Sequence, residues 1–173
     1  MPPPGEAPGV WYRRRDYVGF YRRLLIVGVD SLVVFMVCVP CGSLAALEIL
    51  PGVLTLMWFM LAWGYLGVLG AHSATLGYLI ANARIVTLYG ERPSVWRMSF
   101  RLALWCFGPF NPHIDLAWVL GDPQWRSLRD KMAGTYVISR EARPAGLGPT
   151  RLYYLLFLGF HLPYLEVSAP QPR

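Results

Sequence analysis

The chain has 173 residues, of which 55% are apolar and only 15% charged, with 16 Lys and Arg against 10 acids. Soluble proteins carry roughly 25% charge, so the composition excludes an ordinary solvated domain and favours a membrane chain. The net charge of +6 does not point to nucleic acid, which needs a free basic surface. Here the bases flank apolar runs, which suits a cytoplasmic membrane face and a bilayer with anionic headgroups.

Residues 1–12 are rich in Pro and Gly and read as a disordered tail. Prolines interrupt the place of a signal-peptide core, so the first membrane helix is expected to do the targeting. The stretch WYRRRDYVGFYRR, residues 11–23, mixes aromatics with arginines, an interfacial composition. An apolar run over 24–47 supplies the roughly 20 residues that a bilayer helix needs. It carries one carboxylate, Asp30, and has Pro40 and Gly42 near its far end. A charge at that depth costs about 2.5–3.5 kcal/mol on insertion scales and needs a partner or a use. A second span over 52–71 contains no charge, and its Gly64, Gly67 and Ala71 share a face suited to close helix packing.

The loop between the spans has no Lys or Arg, whereas Arg13, Arg14, Arg15, Arg22 and Arg23 precede the first span. Arg84, Arg92, Arg97 and Arg101 follow the second. The positive-inside rule therefore predicts a cytoplasmic N-terminus. The run from Arg84 to Tyr89 reads as a strand, as does the run from Gly134 to Ser139, and the two are expected to pair into a small cytoplasmic β element.

Between them, residues 98–120 are apolar but broken by Gly108, Pro109 and Pro112. A single crossing would place the later bases, Arg126 to Arg143, outside, against the charge rule. Two short arms, near 102–110 and 114–120, entering and leaving on one side avoid that conflict; an ordinary third span is the alternative. Residues 141–151 read as a linker. Residues 152–167, LYYLLFLGFHLPYLEV, are apolar but short, and lie in the interface or form a short extra crossing. The fold expected is thus an α-helical integral membrane protein with two full transmembrane helices, a broken or re-entrant third segment and a small β element, its membrane domain covering residues 13–140.

Asp30 follows Arg23 by seven positions on one helix face, about 10.5 Å along the axis. Arg23 is expected to reach the headgroups and Asp30 to pair with a base from another segment, with Arg84, Arg101 and Arg129 as the candidates. Asp130 lies in a basic box between Arg126, Arg129 and Lys131, and is expected to tie Arg126 or a loop nitrogen.

Three boxes carry a family resemblance. The first is Gly19-Phe-Tyr-Arg-Arg-Leu-Leu with Arg23 and Asp30. The second runs from Ser73-Ala-Thr-Leu-Gly77 to Arg84-Ile-Val. The third is Arg126-Ser-Leu-Arg-Asp130-Lys-Met-Ala-Gly134-Thr135. Together, over roughly residues 17–139, they resemble the RDD family of small polytopic membrane proteins, named for an arginine and two aspartates. That family often has a base directly after the glycine of the second box, where this chain has Tyr78. The resemblance implies a membrane fold and a bacterial inner-membrane address, with little settled chemistry beyond a suggested role in transport.

Two functions follow. In one, a homo-oligomer moves a small ion or solute, with Asp30 as the intramembrane charge. In the other, Arg23, Asp30 and Asp130 form a structural clasp in a non-catalytic accessory or assembly subunit that docks to another membrane protein through Gly64, Gly67 and Ala71. No nucleophile–base pair, phosphate loop or paired catalytic carboxylates occur, so no enzyme activity and no cofactor are expected. His72, His113 and His161 lack metal-ligand spacing, and His113 with Asp115 reads as a turn. Cys38 and Cys41 form a C-x-x-C inside the first apolar run, where no cation stands by to make a thiolate, and read as packing residues.

Overall fold

The computed structural model describes residues 8–46, 51–106, 111–157 and 159–168. Two long helices dominate it. The first, α1 (Phe20–Ala46), has 27 residues and so runs about 40 Å. Its buried side chains, Arg23, Ile26 and Asp30, repeat at helical spacing along one stripe, while Leu24, Leu25, Leu32, Phe35, Met36 and Val39 are exposed. The second begins as α2 (Pro51–Trp63). It widens into a π turn at Gly64–Leu69 and ends as α3 (Gly70–His72). Residues Gly52–His72 form one apolar helix of membrane length, and only 6% of an 18-residue window in it is buried within the chain. A helix apolar on every side and mostly uncovered by the rest of the chain needs lipid or a partner around it. The side chains of Cys38 and Cys41 lie outside the described part of α1.

Beyond the long helices the chain folds into short elements. Helix α4 (Leu76–Ile80) leads through Asn82, whose φ is 48°, into β2 (Ala83–Thr87). Ser94 accepts a hydrogen bond from the Arg97 amide and starts α5 (Val95–Leu104). Asn111 accepts from the His113 and Ile114 amides and, with Pro112 in the first turn, starts α6 (Pro112–Trp118). Among its described residues, the region expected to be broken holds two short α-helices, each too short to cross a bilayer. Gly108 and Pro109, on which that expectation rested, lie outside the described residues.

Strand β2 pairs antiparallel with β3 (Thr135–Ser139), with Arg84 opposite Ile138 and Val86 opposite Tyr136. This is the small β element read from the sequence. Its side chains alternate, as a strand's must. Ala83, Ile85 and Val137 face Val18, Ile26, Ala71 and Met98 on the helical side. Val86, Tyr136 and Ile138 face Val10, Tyr12, Tyr17 and Val167 on the other. The sheet is covered on both faces.

That second cover corrects two expectations. Residues 9–12 are not a disordered tail: β1 (Gly9–Trp11) pairs with β4 (Gly146–Gly148), and Val10 and Tyr12 are buried. Nor are residues 141–151 a free linker, since they contain β4 and the start of the next strand. Burial against the sheet outweighs the Pro/Gly composition of both stretches. Residues 152–167, expected to lie in the interface or to form a short extra crossing, are not helical. They form a hairpin of β5 (Thr150–Phe157) and β6 (Phe160–Val167), with Phe157 paired to Phe160. Its Leu155 and Leu162 pack with Leu104, Leu128 and Trp118.

Helix α7 (Leu128–Ala133) joins this hairpin to the rest. Ser127 and Asp130 form a reciprocal capping box at its start, and Gly134 closes its end with φ 60° and ψ 51°. A Cβ at Gly134 would touch Leu88 only at an ordinary 3.5 Å, so its cost is conformational. Gly134→Ala is expected to destabilise the fold by about 1–2 kcal/mol, the penalty for a left-handed L-residue, read as a lower melting temperature in detergent.

Candidate functional site: two buried carboxylates

Asp130 is fully buried at the third position of α7. Its Oδ2 accepts from Arg23 Nη1 at 2.6 Å and its Oδ1 accepts from Arg101 Nη2. The Ser127 amide also donates to Oδ2, at 3.4 Å, and the Asp130 amide donates to Ser127 Oγ, at 3.3 Å. Burial alone would push this carboxyl up. The guanidiniums of Arg101, Arg23 and Arg129 outweigh that and hold it well below the usual carboxylate range. Arg23 does not reach for the headgroups. Its Nε donates to the Val18 carbonyl at 3.0 Å, so α1, α5 and α7 meet on one carboxylate.

Asp30 is buried as well, but among the described residues no base pairs with it. Its Oδ1 accepts from the Tyr65 hydroxyl at 2.8 Å and from the Gly77 amide at 2.9 Å, and its Oδ2 accepts from Thr75 Oγ1 at 2.6 Å. The Leu76 amide donates to the same Tyr65 oxygen at 2.9 Å. Asp30 thus caps the start of α4 from a distant helix through the Gly77 amide, while Tyr65 meets the Leu76 amide, donors that the short helix cannot satisfy itself. The expected basic partners are committed elsewhere. Arg101 serves Asp130. Arg84 Nη2 donates to the Ala142 carbonyl at 2.8 Å. Arg129 Nε lies 2.9 Å from Asp115 Oδ2, while its amide donates to Asp115 Oδ1 at 2.9 Å.

Arg126 does not bind the Asp130 carboxylate. It donates through Nη1 to the Leu165 carbonyl at 3.2 Å, stands 3.3 Å from Glu166 and lies over the rings of Tyr136 and Tyr164. It fastens the C-terminal hairpin to the sheet. Lys131 pairs with Asp122 at 2.5 Å. The guanidinium of Arg129 sits 3.9 Å from the centre of the Trp105 ring. Burial pulls Arg129 down from its ordinary value, and Asp115 only partly restores it.

The face made of Gly64, Gly67 and Ala71 is largely used within the chain. A Cβ on Gly67 would lie 3.2 Å from the Trp63 indole nitrogen and 3.7 Å from Ser99 of α5, and Trp63 Nε1 donates to Ser99 Oγ at 2.8 Å. Ala71 packs in one core cluster with Met98 of α5. Only Gly64 faces open space. Docking of another protein through all three residues is therefore corrected: α5 already occupies two of them.

Asp115, which the sequence grouped with the exposed His113, is buried and held by Arg129. Among the described residues no three His, Cys, Asp or Glu side chains gather as a metal site. Sequence reasoning passed over Arg22, which donates to the Ala81 and Asn82 carbonyls and to Ser139 Oγ and so locks α1 to the sheet. It also passed over Tyr65. The roles of Thr75 and Gly77 had a signal, since both belong to the second box quoted for the resemblance.

Comparison with known families matches the RDD family over residues 17–134, which takes in α1 through α7 and both signature carboxylates. No curated protein and no solved structure matches the chain. The matched segment covers well over half of the chain and contains Arg23, Asp30 and Asp130 in order, and on that basis the chain belongs to the RDD family.

Proposed function

We propose that this RDD protein is a non-catalytic integral membrane subunit in which Arg23, Asp30 and Asp130 form structural clasps. In this reading α1 and the helix at 52–72 cross a bacterial inner membrane as an antiparallel hairpin, with the N-terminus cytoplasmic. The clasps fix the small β module against the base of that hairpin, where arginines meet anionic headgroups. The chain then serves as an accessory or assembly partner of another membrane protein or of further copies of itself. One observation carries the reading: both signature carboxylates are saturated by donors from other segments, Asp30 by three neutral groups and Asp130 by two guanidiniums. Groups so engaged hold elements together.

Transport of a small ion, with Asp30 as the intramembrane charge, is the second reading. It draws on a groove of about 170 Å³ between α1 and α2, lined by Val33, Val37, Trp58 and Tyr65, the last being a donor to Asp30.

Cation flux in proteoliposomes, wild type beside Asp30→Asn, separates the two. Asn preserves the Oδ1 acceptor for Tyr65 and Gly77, and Thr75 can turn its hydroxyl to accept from the new amide. The variant is therefore expected to stay folded, losing about 1 kcal/mol. The clasp reading expects no flux from either protein. Flux in wild type that vanishes in a monodisperse Asp30→Asn would overturn it in favour of transport.

A further inference from the structure

We propose that the π turn at Gly64–Leu69 is a rotary switch for α2. It sets the rotation of α2 about its own axis, and hydrogen bonds from Tyr65 to Asp30 and from Trp63 to Ser99 latch that rotation. When the latch opens, the turn closes to an ordinary α turn and α2 rotates by about 100°, the angle of one helical residue. The proposal rests on the reading that α2 lies in lipid, and holds whether the chain is an accessory subunit or a transporter.

The latch is the first argument. A π turn closes i→i+5 and so carries one residue too many for the α-helix on either side. Such turns are rare, and one is kept where side-chain contacts reward it. Here Tyr65 donates to Asp30 Oδ1 at 2.8 Å and accepts from the Leu76 amide at 2.9 Å. Trp63 Nε1 donates to Ser99 Oγ at 2.8 Å. Tyr65 thus reaches α1 and α4 while Trp63 reaches α5. Ala71, beyond the turn, is packed in the core with Ile26 and Met98, so the α2 side is the one free to move.

The second argument is that little else fixes α2. Its sequence, PGVLTLMWFMLAW, has no charge and is apolar around its whole circumference except at Thr55, so lipid prefers none of its faces. Its packing on α1 is loose. A groove of about 170 Å³ remains between Val33, Val34 and Val37 of α1 and Trp58, Leu61 and Tyr65. Closing the turn would set Phe59, Ala62 and Leu66 where Trp58, Leu61 and Tyr65 now stand. Apart from the Tyr65 hydroxyl, that exchanges apolar side chains for apolar ones. The latch bonds therefore decide between the two rotations, and a partner or solute that favours the turned face shifts the balance.

The test is fluorine NMR of the full chain in lipid nanodiscs, with fluorotryptophan at its seven tryptophans. Trp58→Phe assigns the Trp58 signal, and broadening by doxyl-labelled lipid reads its contact with lipid. Wild type is expected to give one Trp58 signal, sheltered in part by α1. Tyr65→Phe is expected to add a second, more strongly broadened Trp58 signal and to leave Trp125, which packs against the sheet, unchanged. Adding Trp63→Phe is expected to leave only the second signal. Deleting Val68 removes the extra residue with Tyr65 still on Asp30; it is expected to keep Trp58 sheltered even when Tyr65→Phe is added. An unchanged Trp58 signal in Tyr65→Phe/Trp63→Phe would overturn the proposal. A second signal in the Val68 deletion carrying Tyr65→Phe would do the same, as would collapse of all the signals in Tyr65→Phe, which would make the bonds a support of the fold and not of the rotation. No broadening of Trp58 by doxyl lipid in any variant would remove the lipid around α2, and the proposal with it.

Discussion

Asp130→Asn is expected to cost about 3–5 kcal/mol, the usual penalty for removing one partner of a buried ion pair. Two guanidiniums, from Arg23 and Arg101, end on this carboxylate. The substitution leaves both buried with one neutral acceptor oxygen between them. It also places an amide N–H against one of the cations. The capping box at the start of α7 loses its acceptor for the Ser127 amide at the same time. Domains have total stabilities of about 5–15 kcal/mol, so the variant is expected to be poorly expressed or polydisperse in detergent. Arg23→Lys keeps a charge for Asp130 but loses the bond from Nε to the Val18 carbonyl, and is expected to fall between Asp130→Asn and wild type. Melting curves of the three proteins in one detergent rank them.

The same carboxylate sets an acid limit. Its folded value is depressed, because Arg101, Arg23 and Arg129 outweigh the effect of burial. The stability it lends is therefore present above the unfolded Asp value, about 3.9, and is lost as pH falls from there toward the lower folded value. A wild-type melt against pH is expected to drop below about pH 4, and Asp130→Asn, which has no such proton to take up, to show a shallower drop. Equal slopes would mean that Asp130 does not set the acid limit.

The β2–β3 pairing was legible because both stretches are short, β-rich and bounded by turn residues, and because an antiparallel pair satisfies them together. Arg23 and Asp130 could be singled out but not joined, since 107 positions separate them. The surroundings of Asp30 were harder. A search for a charged partner passes over neutral donors; Thr75 and Gly77 stand in the second quoted box, but no spacing ties them or Tyr65 to Asp30. The C-terminal hairpin is apolar on both faces, so periodicity could not tell strand from helix, and its length fitted either. Strands β1 and β4 stayed hidden for another reason. Each is three residues long, and neither has a reason to be extended until the other is beside it.

Gly77→Ala is expected to be the most damaging single methyl group in the chain's helical half, at about 2–3 kcal/mol, the upper part of the range for overpacking. A Cβ there would stand 2.5 Å from the Ile26 carbonyl oxygen and 2.9 Å from Asp30 Cγ and Oδ1. The carbonyl belongs to the backbone of α1 and cannot swing away, so α4 must move. Moving α4 lengthens the bonds from the Gly77 amide and the Thr75 hydroxyl to Asp30 together. The carboxylate then loses two of its three donors while still buried, which adds an electrostatic penalty to the steric one. Gly64→Ala is the matched control, because a Cβ there meets nothing within 4 Å. Alanine also favours a helix over glycine, so that variant is expected to melt at or slightly above wild type. Combining Gly77→Ala with Asp30→Ala tells the two penalties apart. Removing the carboxylate relieves one clash and the lost hydrogen bonds but leaves the Ile26 carbonyl in place. The double variant is therefore expected to be less damaged than the sum of its parts, without returning to wild type. Full additivity would mean that α4 is not held by Asp30 at all.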